Sequence, residues 1–287
     1  MKYNRLCSAI AAACAMLLPL QALADAPQPV ERPVLSAYTI DAGSSHVAET
    51  YLSPLKYSGW STALNYERTQ AMRFSPRRWT MRLHGRLALE RTQNPARNAN
   101  MWGLDLNIGW AMTRRFRLDS RWNILAGGNT AVNGGALYNT RNGNNPVAAK
   151  ASWTVGASAG AIFNTRIGRI PISARYIVEM PLTGIFFSPE YGELYYEIYL
   201  GNHKGLVRGA WPGNFFRLDN LATVDIRLGR TIIRAGYRCG IFSSKASHIV
   251  TRRISHSLVL GLASEWVSLS PKGAGKLAEA EIISSQY

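Results

Sequence analysis

Charged side chains recur at every second position of this chain, and that spacing decides what chemistry they can do. In the stretch from Trp79 to Glu90, Arg82, His84, Arg86 and Glu90 alternate with Met81, Leu83, Leu87 and Leu89. Successive side chains of a strand point to opposite faces, so the segment carries one charged and one apolar face. A helix would set Arg82, Arg86 and Glu90 beside Leu83 and Leu87 and leave no separate apolar side. The same period puts Glu67, Asp105, Arg117, Asp119 and Arg121 on polar faces in the first half of the chain. In the second half it does so for Arg175, Glu179, Glu197, Arg217, Asp219, Asp225, Arg227, Arg234, Arg238 and Glu265. Both signs interleave, as in Arg117-x-Asp119 and Arg217-x-Asp219. If the strands close into a barrel, these residues line its lumen. They then support either a cross-strand ion-pair network that fills the bore or an Arg-rich, narrow channel that favours anions.

The elements that would position them are long strands. Period two is also plain at 102–110, where Trp102, Leu104, Leu106, Ile108 and Trp110 share a face, and at 116–124. It recurs at 59–69, 153–164, 170–182, 216–228, 231–241 and 255–267. Such segments run about 10 to 13 residues, longer than the five or six usual in soluble sheets and close to the 9–11 of a tilted membrane strand. All eight tryptophans, Trp60, Trp79, Trp102, Trp110, Trp122, Trp153, Trp211 and Trp266, lie in or near these strands, often at an end. There an indole faces lipid while its N–H stays near water, as in an aromatic girdle. Outer-membrane barrels join strands by short periplasmic turns alternating with longer outer loops. Short connections are expected at Met112–Arg115, Arg166–Arg169 and Gly229–Arg230, and longer ones at 127–152, 183–192 and 242–253. Alternation holds if 193–200, 204–211 and 216–228 are three strands and a weakly patterned strand at 35–47 opens the barrel. The expected fold is an all-β, antiparallel transmembrane β-barrel of twelve strands, with ten as the alternative. Gly127 to Asn145, rich in Gly and Asn, reads as a mobile surface loop.

Composition sets the outer limits. The 287 residues are 47% hydrophobic and 17% charged, with 33 Lys+Arg against 17 Asp+Glu for a formal charge of +16. Intrinsic disorder is excluded, and past residue 25 no apolar run approaches the roughly 20 residues of a membrane-spanning helix. Residues 1–24 read as a signal peptide: Lys2 and Arg5, an apolar stretch from Leu6 to Leu20, then Ala22-Leu23-Ala24. An anchor helix and a lipoprotein signal acylated at Cys14 are the alternatives. Cleavage lowers the charge of +16 by two and leaves Cys239 alone, which excludes an internal disulfide framework and a cysteine-based metal cluster. Residues 25–34 read as a periplasmic lead-in, 35–270 as the barrel, and 271–287 as a C-terminal tail with room for a helical turn.

Two stretches carry a resemblance. Thr50-Tyr-Leu-Ser-Pro-Leu-Lys-Tyr-Ser-Gly59 is followed by Tyr66-Glu67-Arg68, and Phe187-Ser-Pro-Glu-Tyr-Gly192 by Tyr195-Tyr196-Glu197-Ile198. Over roughly 45–270 the chain resembles a family of Bacteroidetes outer-membrane proteins of unknown function. The resemblance implies an outer-membrane location and transfers no catalytic residue.

The function expected is therefore a non-enzymatic outer-membrane barrel, structural or a narrow passive pore. The alternative is a membrane-embedded lipid-modifying hydrolase, whose acyl-ester chemistry needs a Ser and a His on neighbouring barrel positions. His256 and Ser257 are adjacent and so point to opposite faces, with Glu265 on the face of Ser257; His84 would need a Ser from another strand. His46, His203 and His248 fall in expected connections, without carboxylates or histidines at metal-ligand spacing, so neither metal nor cofactor follows. Export removes the basic chain from nucleic acid, and it carries no basic helix or aromatic RNA-binding motif. The partners expected are outer-membrane lipids and lipopolysaccharide, with Arg114, Arg115, Arg166, Arg169 and Arg230 at short turns near the headgroups, and the barrel-assembly machinery. The oligomeric state stays open.

Overall fold

Alternation, carried through long segments, produces a sheet whose two sides meet different surroundings. The computed structural model describes residues 30–190, 195–201, 205–229, 231–266 and 281–286. The long strands are β2 (Val34–Glu49), β3 (Lys56–Ala71), β4 (Trp79–Gln93), β5 (Asn100–Arg117), β6 (Trp122–Asn139), β7 (Val147–Ile167) and β8 (Ile170–Phe187). A five-residue helix α1 (Tyr195–Tyr199) and a short strand β9 (Val207–Ala210) precede β10 (Phe215–Leu228), β11 (Thr231–Ala246) and β12 (Ile249–Trp266). Two-residue strands β1 (Val30–Glu31) and β13 (Glu281–Ile282) pair in parallel beside the chain ends.

Each long strand pairs antiparallel with the next, β12 pairs with β2, and β8 pairs with β10 from Asp219↔Glu179 to Ile226↔Ile172. The sheet thus closes with ten strands, leaving no free edge along the wall. The strand β9 adds to β8 at Phe187↔Val207 without taking a place in the ring. Twelve strands are corrected to ten, the alternative count. The segment expected as a strand at 193–200 holds α1, and 204–211 supplies only β9; residues 191–194 and 202–204 lie outside the described residues.

Connections differ more from expectation than strands do. The Gly- and Asn-rich stretch is strand as far as Asn139, the end of β6, with Asn133 and Asn139 buried, and only its last residues, 140–145, form a connection. Met112–Arg115 lies inside β5, and the turn falls at 118–121 instead. There Asp119 Oδ1 accepts the backbone N–H groups of Arg121 and Trp122 at 2.6 and 2.7 Å, which holds its carboxyl below the usual range. The expected loop at 242–253 is the ends of β11 and β12 around a two-residue turn, where Ser247 and His248 take φ of 48° and 66°. Positive φ at both central residues matches the strand twist of a tight hairpin. The expected loop at 183–192 begins as strand, since β8 runs to Phe187. Thus one long connection, 188–206, stands among short ones, rather than a set of long loops at one end. The turn at 168–169 falls where the spacing puts it, Gly229 follows the end of β10 with Arg230 outside the described residues, and the strand opening the barrel is β2.

Along β8 the inward set is Ser173, Arg175, Ile177 and Glu179, then Phe186. A bulge between Val155↔Thr183 and Gly156↔Pro181 absorbs Leu182 and resets the alternation, next to Pro181, which has no N–H to give the ladder. On the curved wall, Gly43 faces the backbone of β12 so closely that a Cβ would lie 1.8 Å from the His256 carbonyl oxygen.

The closed sheet predicts heat-modifiable gel mobility, with faster migration before boiling. Gly43→Val should cost about 1–3 kcal/mol by overpacking and reduce the fast-migrating fraction. Identical mobility of boiled and unboiled protein would contradict the closed wall.

Candidate functional site: the charged interior

The inward positions of ten strands converge on a bore narrow enough for opposite walls to touch. Nearest the chain ends, Arg234, 2% exposed, forks onto Asp225 through Nε and Nη2 at 2.7 Å each, and gives Nη1 to Glu67 at 2.8 Å. Glu67 also accepts Arg175 at 2.6 Å and Arg82 at 3.3 Å, and Arg82 continues to Glu179 at 2.5 Å. Since β3 and β8 lie five strands apart either way round the ring, the Glu67–Arg175 pair spans the bore.

A middle layer is centred on Asp41, fully buried, which accepts Arg238 Nε at 2.8 Å and Arg86 Nε at 3.4 Å. Arg217 pairs with Asp219 at 2.7 Å and also donates to Asn133. His84 Nε2 meets Asn107 Oδ1 at 3.0 Å, and Asn107 donates to Asn133 at 2.6 Å. The imidazole fills the space beside Gly109, where a Cβ would lie 2.4 Å from the ring.

The third layer is nearest the long connection. Arg253 reaches Asp105 at 3.1 Å and Glu90 at 3.6 Å, and Ser45 donates to Glu90 at 2.6 Å. Lys150 crosses from β7 to Glu49 of β2 at 2.6 Å, again half the ring away, and Thr251 donates to the same carboxylate at 2.7 Å. Above it Phe186, Phe215 and Phe242 stack with centroids 5.1 and 5.2 Å apart.

At the opposite mouth the C-terminal segment turns inward. Ser284 donates to Glu265 at 2.6 Å, Gln286 Nε2 to Asp225 at 2.9 Å, and Arg115 Nη1 to the Ser284 carbonyl at 3.0 Å. Arg227 bonds Glu265 at 2.6 Å. The helical turn expected within 271–287 lies largely outside the described residues, since 267–280 are not described; residues 281–286 hold β13 and these contacts.

Most of the expected lumen residues point inward: Glu67, Arg82, His84, Arg86, Glu90, Asp105, Arg175, Glu179, Arg217, Asp219, Asp225, Arg227, Arg234, Arg238 and Glu265. Four do not. Arg117, Asp119 and Arg121 are exposed at the turn between β5 and β6, because that turn comes later in the chain than the Arg114-Arg115 pair suggests. Glu197 is on α1, outside the ring. The tryptophans Trp60, Trp79, Trp102, Trp110, Trp122, Trp153 and Trp266 occupy outward positions, and Trp211 sits between β9 and β10. Trp110 is well inside β5 rather than at its end.

Sequence reasoning missed Asp41, Glu49, Lys150 and Arg253. Asp41 and Glu49 share the odd positions of β2 with Thr39 and Ser45, a signal blurred because Leu35 and Ala37 face inward as well. With them, among the described residues, nine inward carboxylates (Asp41, Glu49, Glu67, Glu90, Asp105, Glu179, Asp219, Asp225, Glu265) meet nine ion-paired inward bases (Arg82, Arg86, Lys150, Arg175, Arg217, Arg227, Arg234, Arg238, Arg253), and Arg115, also inward, bonds backbone carbonyls. The interior is therefore close to neutral rather than Arg-rich, and the basic excess lies on the rims and outside.

His46, expected in a connection, is on β2 and faces outward, where its Nδ1 meets Ser58 Oγ across the strand pair at 2.9 Å. His256 also faces outward and contacts Tyr237. His248 lies in the hairpin turn, and His203 is outside the described residues.

A closed, ten-strand antiparallel barrel with a cross-linked, neutral interior is the class of protein these features define. The chain belongs to the family described as "Protein of unknown function (DUF3316)", which matches residues 9–273. Among curated proteins nothing matches. Solved structures with some similarity include the outer membrane protease OmpT from Escherichia coli, at 5% identity over 86% of this chain and 99% of that one, with a TM-score of 0.42. Another is the translocator domain of autotransporter NalP from Neisseria meningitidis, at 8% identity over 92% of this chain and 96% of that one, with a TM-score of 0.38. At such scores the likeness carries no argument, and the barrel rests on its own strand pairing.

Removing one member of a buried pair strands its partners. Glu67→Gln should destabilise the barrel by about 3–5 kcal/mol, read from denaturant unfolding in detergent. A loss below about 1 kcal/mol would show that Arg82, Arg175 and Arg234 do not depend on it.

Proposed function

We propose that this protein is a non-enzymatic, integral β-barrel of the outer membrane, structural in role and closed to solute flow. Export through removal of residues 1–24 and insertion by the barrel-assembly machinery are part of the proposal. The exterior supports the location. Tyr38, Ile40, Leu64, Leu104, Ile108, Leu258, Leu260 and Leu262 are each at least half exposed on β12, β2, β3 and β5, and Val132, Trp153, Tyr176, Val224 and Ile233 are exposed on β6, β7, β8, β10 and β11. Soluble proteins rarely leave so continuous an apolar surface to water. Lipid is the solvent that suits it, with the outward tryptophans at or near its headgroup boundaries. No described helix is long and apolar enough to cross a membrane, which says nothing of strands.

The observation that carries closure is the pairing of opposite walls at two levels, Glu67 with Arg175 and Lys150 with Glu49. Between the layers the spaces are about 20 to 50 Å³ each. A water needs roughly 10–15 Å³ measured this way, so each of these spaces holds a few waters. Balanced charge also removes the positive field that an anion-selective channel would need. Lipopolysaccharide and phospholipid headgroups are the partners proposed for the basic rims, and nucleic acid is not one.

Purified protein in planar bilayers should give no discrete conductance steps. Reproducible single-channel openings would overturn the closed reading.

One observation favours the second reading, a lipid-modifying hydrolase: the outward His46–Ser58 pair, in which a His could activate a Ser toward an acyl ester. Among the described residues no side chain bonds the other imidazole nitrogen, so the ring has no orienting partner. Fatty-acid release from phospholipid vesicles should be absent for wild type and for His46→Ala alike. Release that His46→Ala abolishes would establish the hydrolase instead.

A further inference from the structure

The mouth beside the chain ends breaks the rule of balanced charge. A groove of about 600 Å³, far larger than any space deeper in the bore, lies between the β5–β6 turn, the β7–β8 turn and the end of β10. It is lined by Arg121, Arg166 and Arg227, with the hydroxyls of Ser120 and Thr165 beside them, and no carboxylate lines it. The three arginines converge because the elements do. The Asn164 N–H donates to the Arg121 carbonyl at 2.9 Å, tying the first turn to β7, and Arg227 follows Ile226, which pairs with Ile172 at the start of β8.

Arg227 is held by Glu265 at 2.6 Å. Arg121 and Arg166 make no ion pair among the described residues, unlike Arg82, Arg175, Arg217, Arg234, Arg238 and Arg253 inside the bore. Asp119, two residues before Arg121, feels its charge without an ion pair to it, and the Asp119 Oδ1 is taken by backbone N–H groups of the turn. Arg121 and Arg166 bring two positive charges without a carboxylate partner to one groove, beside the Arg227–Glu265 pair, and like charges so placed favour an anion between them. Their planar forks suit the oxygens of a phosphate, which can accept two parallel bonds from each.

We infer that this mouth is a binding site for a phosphate-bearing anion, held by Arg121, Arg166 and Arg227. The chemistry is shared by a phospholipid headgroup and by a soluble phosphate. The site does not depend on whether the bore conducts, so it stands or falls apart from the closed-barrel reading.

The test uses the full chain refolded in a neutral detergent and titrated calorimetrically with inorganic phosphate. In parallel, nanodiscs of phosphatidylglycerol or of phosphatidylcholine are released into native mass spectrometry to see which lipid stays bound. Arg121→Gln with Arg166→Gln is the test variant. Arg73→Gln with Arg114→Gln, exposed on the same rim but outside the groove, is the control. Saturable phosphate binding weakened about tenfold or more by the test pair and not by the control supports the site with a soluble ligand. Retention of phosphatidylglycerol alone, lost in the test pair, supports it with a headgroup. Equal weakening by both pairs would reduce the effect to diffuse rim charge and overturn the inference. Failure of the wild type to hold either probe overturns it without any variant. Heat-modifiable mobility checks that each variant is folded, and the single Arg166→Gln replaces the pair if the pair is not.

Discussion

A bore of ten strands is too narrow to hydrate the charges that point into it. Each inward carboxylate or guanidinium must therefore find its counter-charge on the protein, and much of the time across the diameter. Glu67 is the clearest case, collecting Arg175 from the opposite wall, Arg234 from one side and Arg82 from the other. Desolvating so many ions is costly, and an apolar filling would often be as stable. The return is in specificity. A slip of any strand by one residue would turn its inward charges out and its apolar residues in. The ion pairs thereby favour a single register for the strands that carry them.

Charge is distributed accordingly. Inside, acids and bases balance; the surplus of basic residues is left for the rims. That surplus has a different environment at each end. Toward the long connection the aromatic cluster of Phe186, Phe215 and Phe242 lies over the Lys150 and Arg253 layer. Toward the chain ends, polar contacts of Ser284 and Gln286 occupy part of the mouth, and the Arg121 groove takes another part. A barrel with a neutral shaft and a basic rim has little to offer an ion in transit and more to offer an anion that docks.

Legibility varied with how local each feature is. Strands such as β4 and β12 could be read directly, because large apolar residues alternate with charges. The strand β6 could not, because Gly127, Gly128, Gly134 and Gly135 and its asparagines carry the composition of a loop. Their role emerges only beside Arg217 and Asn107, which reach Asn133 from other strands. Adjacent arginines at 114 and 115 looked like a turn, yet Arg115 is inward and bonded to carbonyls while Arg114 lies over the Phe116 ring. The tyrosine-rich segment around Tyr195 imitates a strand and is a helix, with Tyr195 bonded to the Ala149 N–H. Among inward residues, those flanked by large apolar neighbours were found, and Asp41 and Lys150 were hidden by small or mixed neighbours.

What the residues alone determined was the period of two, and with it the presence of one apolar and one charged face on most strands. That follows from the backbone, since alternation is a property of each strand by itself. The tertiary structure decided the strand number, the identity of each ion-pair partner, the inward turn of the C-terminal segment and the gathering of three arginines at one mouth. These depend on which strand meets β10 to close the sheet and on which wall then stands opposite. Closure is settled by hydrogen bonds and packing summed over the whole ring, and no single segment carries that information.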